Sequence, residues 1–287
     1  MTTGSAGPLI ISLRDGRKVQ YEVYGDPAGS PVLWFHGGGS SRLEGAILHV
    51  PANHHGLRLI ALDRPGVGGS DPHPNRSVRG YATDIAEILD ELSIERASVG
   101  GLSNGGMYAM AVASQLPDRV HRVVPVNPAI PVADTAARAA LSRKTRMIYG
   151  VLERNPQRFV RAVEQPSSRG WLIATLSRFG NPDAHLFADP ERAAMLAALR
   201  SEAARQPHSG GLAQELALGV GDWGFDHRAV TTPVFLLCGE KDSGLGYAKV
   251  WAGELPQGHL SLVPGGHMGI FAPAVARRVT ELLRGSW

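Results

Sequence analysis

The pentapeptide Gly101-Leu102-Ser103-Asn104-Gly105 sets a serine between two glycines, each two residues away. The segment Arg96–Gly100 before it reads as a strand, and the small-residue segment Asn104–Leu116 after it reads as a helix. A serine on so sharp a strand-to-helix turn takes a strained backbone conformation, and bulkier neighbours two positions either side would collide. The turn drives the hydroxyl out over the end of the strand. It also aims the free N–H groups and the positive dipole end of the new helix at any negative charge that develops there. Gly100 and Gly106 add room. The chemistry offered is nucleophilic attack, and a hydroxyl needs a base to perform it at neutral pH.

Among eleven histidines the candidate base is His267. It follows the last strand-like run, Leu260–Val263, through Pro264-Gly265-Gly266, which puts it on a loop at the sheet edge that carries Ser103. His54, His55, His208 and His259 lack such a position and read as surface or structural residues. An imidazole base needs a carboxylate to fix its tautomer and orientation. Asp242 follows the run Val234–Cys238 through Gly239-Glu240-Lys241, again at a strand end. Glu240, closer to the strand, reads as a surface or loop-bracing acid. After the preceding run, Val120–Val126, the corresponding position is Asn127, which does not ionise. A developing oxyanion needs two N–H donors. The glycines of His36-Gly37-Gly38-Gly39, after the run Val32–Phe35, suit that work, with the N–H of Gly38 paired with that of Asn104 and His36 bracing the loop. No Gly-Lys-Ser/Thr follows them, so a phosphate cradle is a poor reading. Gly37, Gly39, Met268, Trp171 and Trp223 are expected to border the substrate.

The elements that must position these residues alternate. Leu9–Leu13 and Lys18–Tyr24 flank the turn Asp15-Gly16 as a hairpin. A helix is expected from Ser41 to about His49, stopped by Pro51, then a strand at Leu57–Leu62 and a helix over Tyr81–Leu92. Strands alternating with helices of this length predict an α/β architecture with a mostly parallel twisted sheet and right-handed crossovers. Strand-like runs disappear between residues 129 and 230. Asp189-Pro190-Glu191 opens a helix there, running to about Arg205. Strands return at Pro233–Cys238, and the helix Pro273–Leu283 closes the chain. Residues 1–128 and 231–287 therefore form the core, and 129–230 an inserted helical cap over the carboxyl ends of the strands, where open α/β sheets bind ligands. Its large residues, Trp171, Phe179, Phe187, Trp223 and Phe225 with Met147 and Met195, either wall an apolar pocket or pack helices together.

Composition narrows the partners. With 43% hydrophobic residues the 287-residue chain is able to bury a large core. A net charge of +3 makes no case for nucleic acid. The excess lies in residues 129–230, with 13 Lys+Arg against 10 Asp+Glu, while the remainder balances at 16 and 16. This suits a solvated helical surface first, and only weakly an acidic substrate or a carrier-protein-bound acyl group. Cys238 is the one cysteine and sits in an apolar run, a core thiol with no disulfide partner in the chain. Met1–Pro8 carries no charged-then-apolar signal pattern, and no stretch of about 18 apolar residues occurs, so a cytoplasmic protein without membrane partners is expected, as monomer or homodimer.

Four stretches, taken in order, resemble the α/β-hydrolase superfamily in its capped serine esterase-like branch. They are Phe35-His36-Gly37-Gly38, the run from Asp63 to Asp71, the Ser103 turn, and Gly239–Asp242 followed by His267. They span nearly the whole chain outside the insertion, in the serine–acid–histidine order of that fold. The resemblance implies an α/β-hydrolase fold with a Ser103–Asp242–His267 triad that works through an acyl-enzyme, without metal or organic cofactor. It also implies a structural role for the loop Asp63–Asp71. Serine at 103 separates the chain from haloalkane dehalogenases and epoxide hydrolases, which are similar in fold but carry aspartate there. Asn104 departs from the tryptophan usual in proline iminopeptidases. The implied activity is hydrolysis of a carboxylic ester, thioester or lactone of a small molecule. The same fold also supports C–C bond cleavage, acyl transfer, ring closure, or ligand reception with the triad retained.

Overall fold

The computed structural model describes residues 7–129, 131, 134–141, 143–155, 182–206 and 211–285. Strands β1 (Leu9–Ser12) and β2 (Lys18–Gly25) form an antiparallel hairpin. Its turn uses Gly16 at φ 88°, a conformation in which a Cβ would be strained. Then follow β3 (Ser30–Phe35), α1 (His49–His54), β4 (Leu57–Leu62), α2 (Tyr81–Glu91), β5 (Ala97–Leu102), α3 (Asn104–Gln115) and β6 (Val120–Val126). Four helices are described before the next strand: α4 (Thr135–Ala140), α5 (Arg143–Arg154), α6 (Pro190–Ala203) and α7 (Gly211–Val220). The chain ends with β7 (Val234–Gly239), α8 (Leu245–Glu254), β8 (Gly258–Val263) and α9 (Pro273–Arg284).

The eight strands form one sheet in the order β1-β2-β4-β3-β5-β6-β7-β8. β2 pairs antiparallel with β4, and all pairs from β4 across to β8 are parallel. Parallel strands are covered on both faces, so their side chains split between two apolar layers. Leu33, Phe35, Ile60 and Leu62 point to the layer of α2, α3 and α8. Val32, Trp34, Leu59 and Ala61 point to the layer of α1 and α9. Because β3, β5, β6, β7 and β8 run the same way, the loops that leave their carboxyl ends share one edge. Those loops begin at His36, Ser103, Asn127, Glu240 and Pro264.

Two local expectations are corrected. Pro51 does not stop a helix: a 3-10 turn covers Arg42–Leu48, and Pro51 lies in the first turn of α1. A first-turn residue has no N–H partner to lose, which is why proline is tolerated there. Trp223, expected at the substrate border, is packed in the hydrophobic core. It is 5% exposed, stands edge-on to Trp251 with ring centroids 5.6 Å apart, stacks on Phe225, and donates Nε1–H to Gly219 O. Trp171, Phe179 and His208 lie outside the described residues. Asp189 caps α6 as the sequence predicts, accepting the N–H of Glu191 at 2.9 Å. Cys238 is buried, and burial pushes its thiol up to about 12. Among the described residues no helix is long and apolar enough to cross a membrane.

Candidate active site

Ser103 sits between β5 and α3 at φ 54°, ψ −118°, one of three non-glycine residues with positive φ among those described. Such a conformation costs on the order of 1–3 kcal/mol and persists only when the surroundings impose it. Here they do. Ser103 N–H donates to Val126 O at 2.9 Å, and Ser103 O accepts from the N–H groups of Gly106 and Ala129, each at 3.0 Å. The flanking glycines are a matter of space. A Cβ on Gly105 would stand 2.6 Å from Phe35 C and 2.8 Å from His36 O, and one on Gly101 would stand 2.5 Å from Gly105 C. The head of α3 is thus pressed against the end of β3, where the glycine loop begins.

His267 and Asp242 come from the loops after β8 and β7. Nδ1–H of His267 donates to Asp242 Oδ2 at 2.7 Å. The other carboxylate oxygen accepts the N–H of Gly244 at 2.6 Å. Asp242 is 2% exposed at its side chain, whereas the imidazole is 45% exposed and open to a substrate. Burial pushes the Asp242 carboxyl up. The hydrogen bond and charge of His267 outweigh burial and hold it below the usual carboxylate range. Around His267 burial works against the charged ring, and the bond and charge of Asp242 outweigh it, so the imidazole binds its proton more tightly than a free one.

Asn127 stands where an alternative acid would stand, and its amide does structural work instead. At φ 42° it accepts the N–H of Gly239 at 2.8 Å and donates Nδ2–H to Gly266 O at 3.1 Å and to His267 O at 3.0 Å. One side chain therefore ties the start of the Asp242 loop to the His267 loop.

The glycine loop rests on charged groups: Glu44 and Glu215, which the sequence did not single out, and Arg64 of the Asp63–Asp71 loop. Gly37 N–H donates to Glu44 Oε2 at 3.0 Å, and Trp34 Nε1–H to Glu44 Oε1 at 3.0 Å. Gly37 O accepts from Arg64 Nη2 at 3.2 Å, and His36 O accepts from Arg64 Nη1. Both polar groups of Gly37 are thus engaged in supporting the loop. Among the described residues no acceptor takes the N–H of Gly38 or of Asn104. The Asn104 side chain donates to Glu215 O at 3.1 Å. His36 is buried, and burial first and the Arg64 charge second push its pKa well below that of a free imidazole. The neutral ring donates from Nδ1 to Gly37 O at 2.8 Å and accepts the Arg64 N–H at Nε2, which is the bracing role expected of it. Arg64 is itself buried against Glu215 of α7, at 2.9 Å and 2.5 Å. Asp63 next to it is fully buried and accepts from Arg42 N–H at 2.7 Å and Gly69 N–H at 3.1 Å. Among the described residues no three His, Cys, Asp or Glu gather as metal ligands would.

With this geometry in view, the sequence matches the profile described as the alpha/beta hydrolase fold over residues 30–273. The chain belongs to the α/β-hydrolase fold family. A poly(3-hydroxyalkanoate) depolymerase from Ectopseudomonas oleovorans is 30% identical to this α/β-hydrolase over 269 residues, covering 91% of this chain and 86% of that protein. The crystal structure of a hydrolase from Pseudomonas aeruginosa superposes with a TM-score of 0.72 at 20% identity, covering 98% of this chain and 99% of that one. An enol-lactonase from Burkholderia xenovorans superposes with a TM-score of 0.69 at 18% identity, covering 96% and 99%. The α/β-hydrolase fold predicted from the motifs is the fold found.

Proposed function

We propose that this α/β-hydrolase is a serine hydrolase of small-molecule carboxylic esters, thioesters or lactones, with Ser103 as nucleophile, His267 as base and Asp242 as orienting acid. The observation that carries the reading is the 2.7 Å bond between His267 Nδ1 and Asp242 Oδ2 at the edge where Ser103 is held at φ 54°. With Nδ1–H given to the carboxylate, the unprotonated nitrogen is Nε2, the tautomer a base requires.

Ser103 Oγ attacks the substrate carbonyl carbon as its proton passes to Nε2 of His267. The oxyanion that forms takes the N–H groups of Gly38 and Asn104, with the positive end of α3 behind the second. The tetrahedral intermediate expels the alcohol, thiol or ring oxygen, which takes the proton from Nε2. Water then gives a proton to Nε2 and its oxygen to the acyl carbon. Collapse releases the acid and returns the proton to Ser103. In this reading segment 129–230 serves as the cap, and among its described residues Glu202 of α6 pairs with Arg42 and Glu215 of α7 with Arg64, two ties to the core. The depolymerase relative favours aliphatic hydroxy-acid esters as the acyl class, since a poly(3-hydroxyalkanoate) is a chain of such esters.

Two measurements test this together. A fluorophosphonate should modify Ser103 in the folded protein, located by mass spectrometry. A panel of nitrophenyl esters, thioesters and lactones should turn over with wild type and not with Ser103→Ala. Modification elsewhere, or equal turnover by Ser103→Ala, would sink the reading.

A further inference from the structure

Asp183 is a buried carboxylate that the reaction above leaves unused. It stands just before the 3-10 turn Ala184–Ala188, between β6 and β7, and is 1% exposed. Its oxygens face the loop that carries His267. Oδ1 accepts the N–H of Gly266 at 2.8 Å, and Oδ2 accepts the N–H of Met268 at 2.8 Å. The residues on either side of the base are therefore tied to one side chain more than 80 positions away. The approach is tight. A Cβ on Gly265 would stand 2.8 Å from Asp183 Oδ1, and one on Gly266 would stand 3.0 Å from Oδ2 and run into Pro182. The two glycines before His267 make the notch into which the carboxylate fits.

The same loop is held from the other side by Asn127, which takes the carbonyls of Gly266 and His267. Asn127 belongs to the sheet edge, and Asp183 to the helical segment. Between them they engage the N–H of 266, the N–H of 268 and the carbonyls of 266 and 267. The imidazole itself is bonded to Asp242. On the triad reading, a rotation of this short backbone would move Nε2 relative to the Ser103 hydroxyl even with the Asp242 bond intact.

We propose that Asp183 is a positioning residue for His267, fixing from the helical segment the backbone on which the base stands. The proposal rests on the triad reading of Ser103, His267 and Asp242. Asp183 also acts through its charge. Among the described residues the carboxylates of Asp242 after β7, Asp183 in the helical segment and Glu44 in the turn after β3 each favour the protonated ring. Removing the negative charge at 183 makes the ring easier to deprotonate. The base form then persists to lower pH, and the acid-side limb of the pH–rate profile moves down.

Asp183→Asn preserves size and one acceptor oxygen but sets an NH2 group against one of the two backbone N–H donors. The test is the second-order rate of fluorophosphonate modification of Ser103 against pH, which needs the serine and its base but no natural substrate. In Asp183→Asn the plateau rate should fall roughly tenfold or more, the scale of a small misplacement of a catalytic group, and the acid-side midpoint should shift to lower pH. Asp189→Ala, which weakens α6 without touching the loop, should show the wild-type rate and midpoint. A plateau within about twofold of wild type and an unmoved midpoint in Asp183→Asn would overturn the proposal. Gly266→Ala is the second variant, crowding the notch while leaving the charge in place. It should also lose plateau rate, and a wild-type rate there overturns the proposal even if Asp183→Asn does not fold. Failure of wild type to label at Ser103, or undiminished labelling of His267→Ala, strikes the triad reading itself and takes this proposal with it.

Discussion

Glu215 carries more than its share of buried charge. Its carboxylate is 1% exposed and serves two guanidinium groups, Arg64 with a side chain 0% exposed and Arg76 with one 1% exposed. Arg64 reaches it with Nε at 2.9 Å and Nη2 at 2.5 Å, and Arg76 touches the same Oε1. Both cations lie over the ring of Tyr108, 4.9 Å and 5.5 Å from its centroid. Glu215→Gln keeps the shape and deletes the one negative charge that, among the described residues, these two buried cations share as a direct partner. It also turns an NH2 group toward a donor. Breaking a buried ion pair from one side costs about 3–5 kcal/mol. For a chain of this size that corresponds to a fall in Tm of roughly 5–8 °C. Activity should fall as well, because Arg64 also donates to the carbonyls of His36 and Gly37 and so sets the angle of the Gly38 N–H. The loss belongs mainly in kcat, since an oxyanion donor acts on the transition state. The assay is differential scanning calorimetry beside steady-state kinetics on the best ester of the panel. A Tm within about 2 °C of wild type would refute the reasoning, because it would mean that the cations do not depend on Glu215.

Three further outcomes are expected. Asp242→Asn removes the carboxylate that orders His267, so kcat should drop by roughly 10³–10⁴; in wild type the acid limb of kcat/KM should lie above the 6.5 of a free imidazole, since the base form is lost as pH falls through a raised value, and in Asp242→Asn it should move down. Gly105→Ala forces the head of α3 and the end of β3 apart by ~1 Å, enough to cost about 100-fold in kcat/KM, and an active, well-folded Gly105→Ala enzyme would count against the elbow geometry. Trp223→Ala should lower stability by about 3–5 kcal/mol with KM unchanged, measured by denaturant unfolding and kinetics; a raised KM with unchanged stability would return Trp223 to the substrate wall.

Helix α8 shows one limit of sequence reading. Leu245–Glu254 buries Tyr247, Ala248 and Trp251, but glycines and alanines between them blur the helical period, and no helix was expected there. Pro51 shows another, since the same residue ends a helix or starts one according to where the first turn falls. Trp223 shows a third: an aromatic side chain in a helical segment has the same sequence signature whether it faces a ligand or Trp251.

That Ser103, Asp242, His267 and the glycine loop all follow strand ends at one sheet edge was legible from residue types and order alone. Each follows a strand run, and parallel strands deliver their carboxyl ends to one edge whatever else the chain does. The supports were not legible. Arg64 meets Glu215 across 151 positions, and Asp183 meets the His267 loop across 83 and 85. Nothing local distinguishes such a buried carboxylate from the solvated ones beside it in sequence. Periodicity and turn chemistry act over a few residues and are written in the chain; desolvation and long-range pairing arise only when distant segments are packed together.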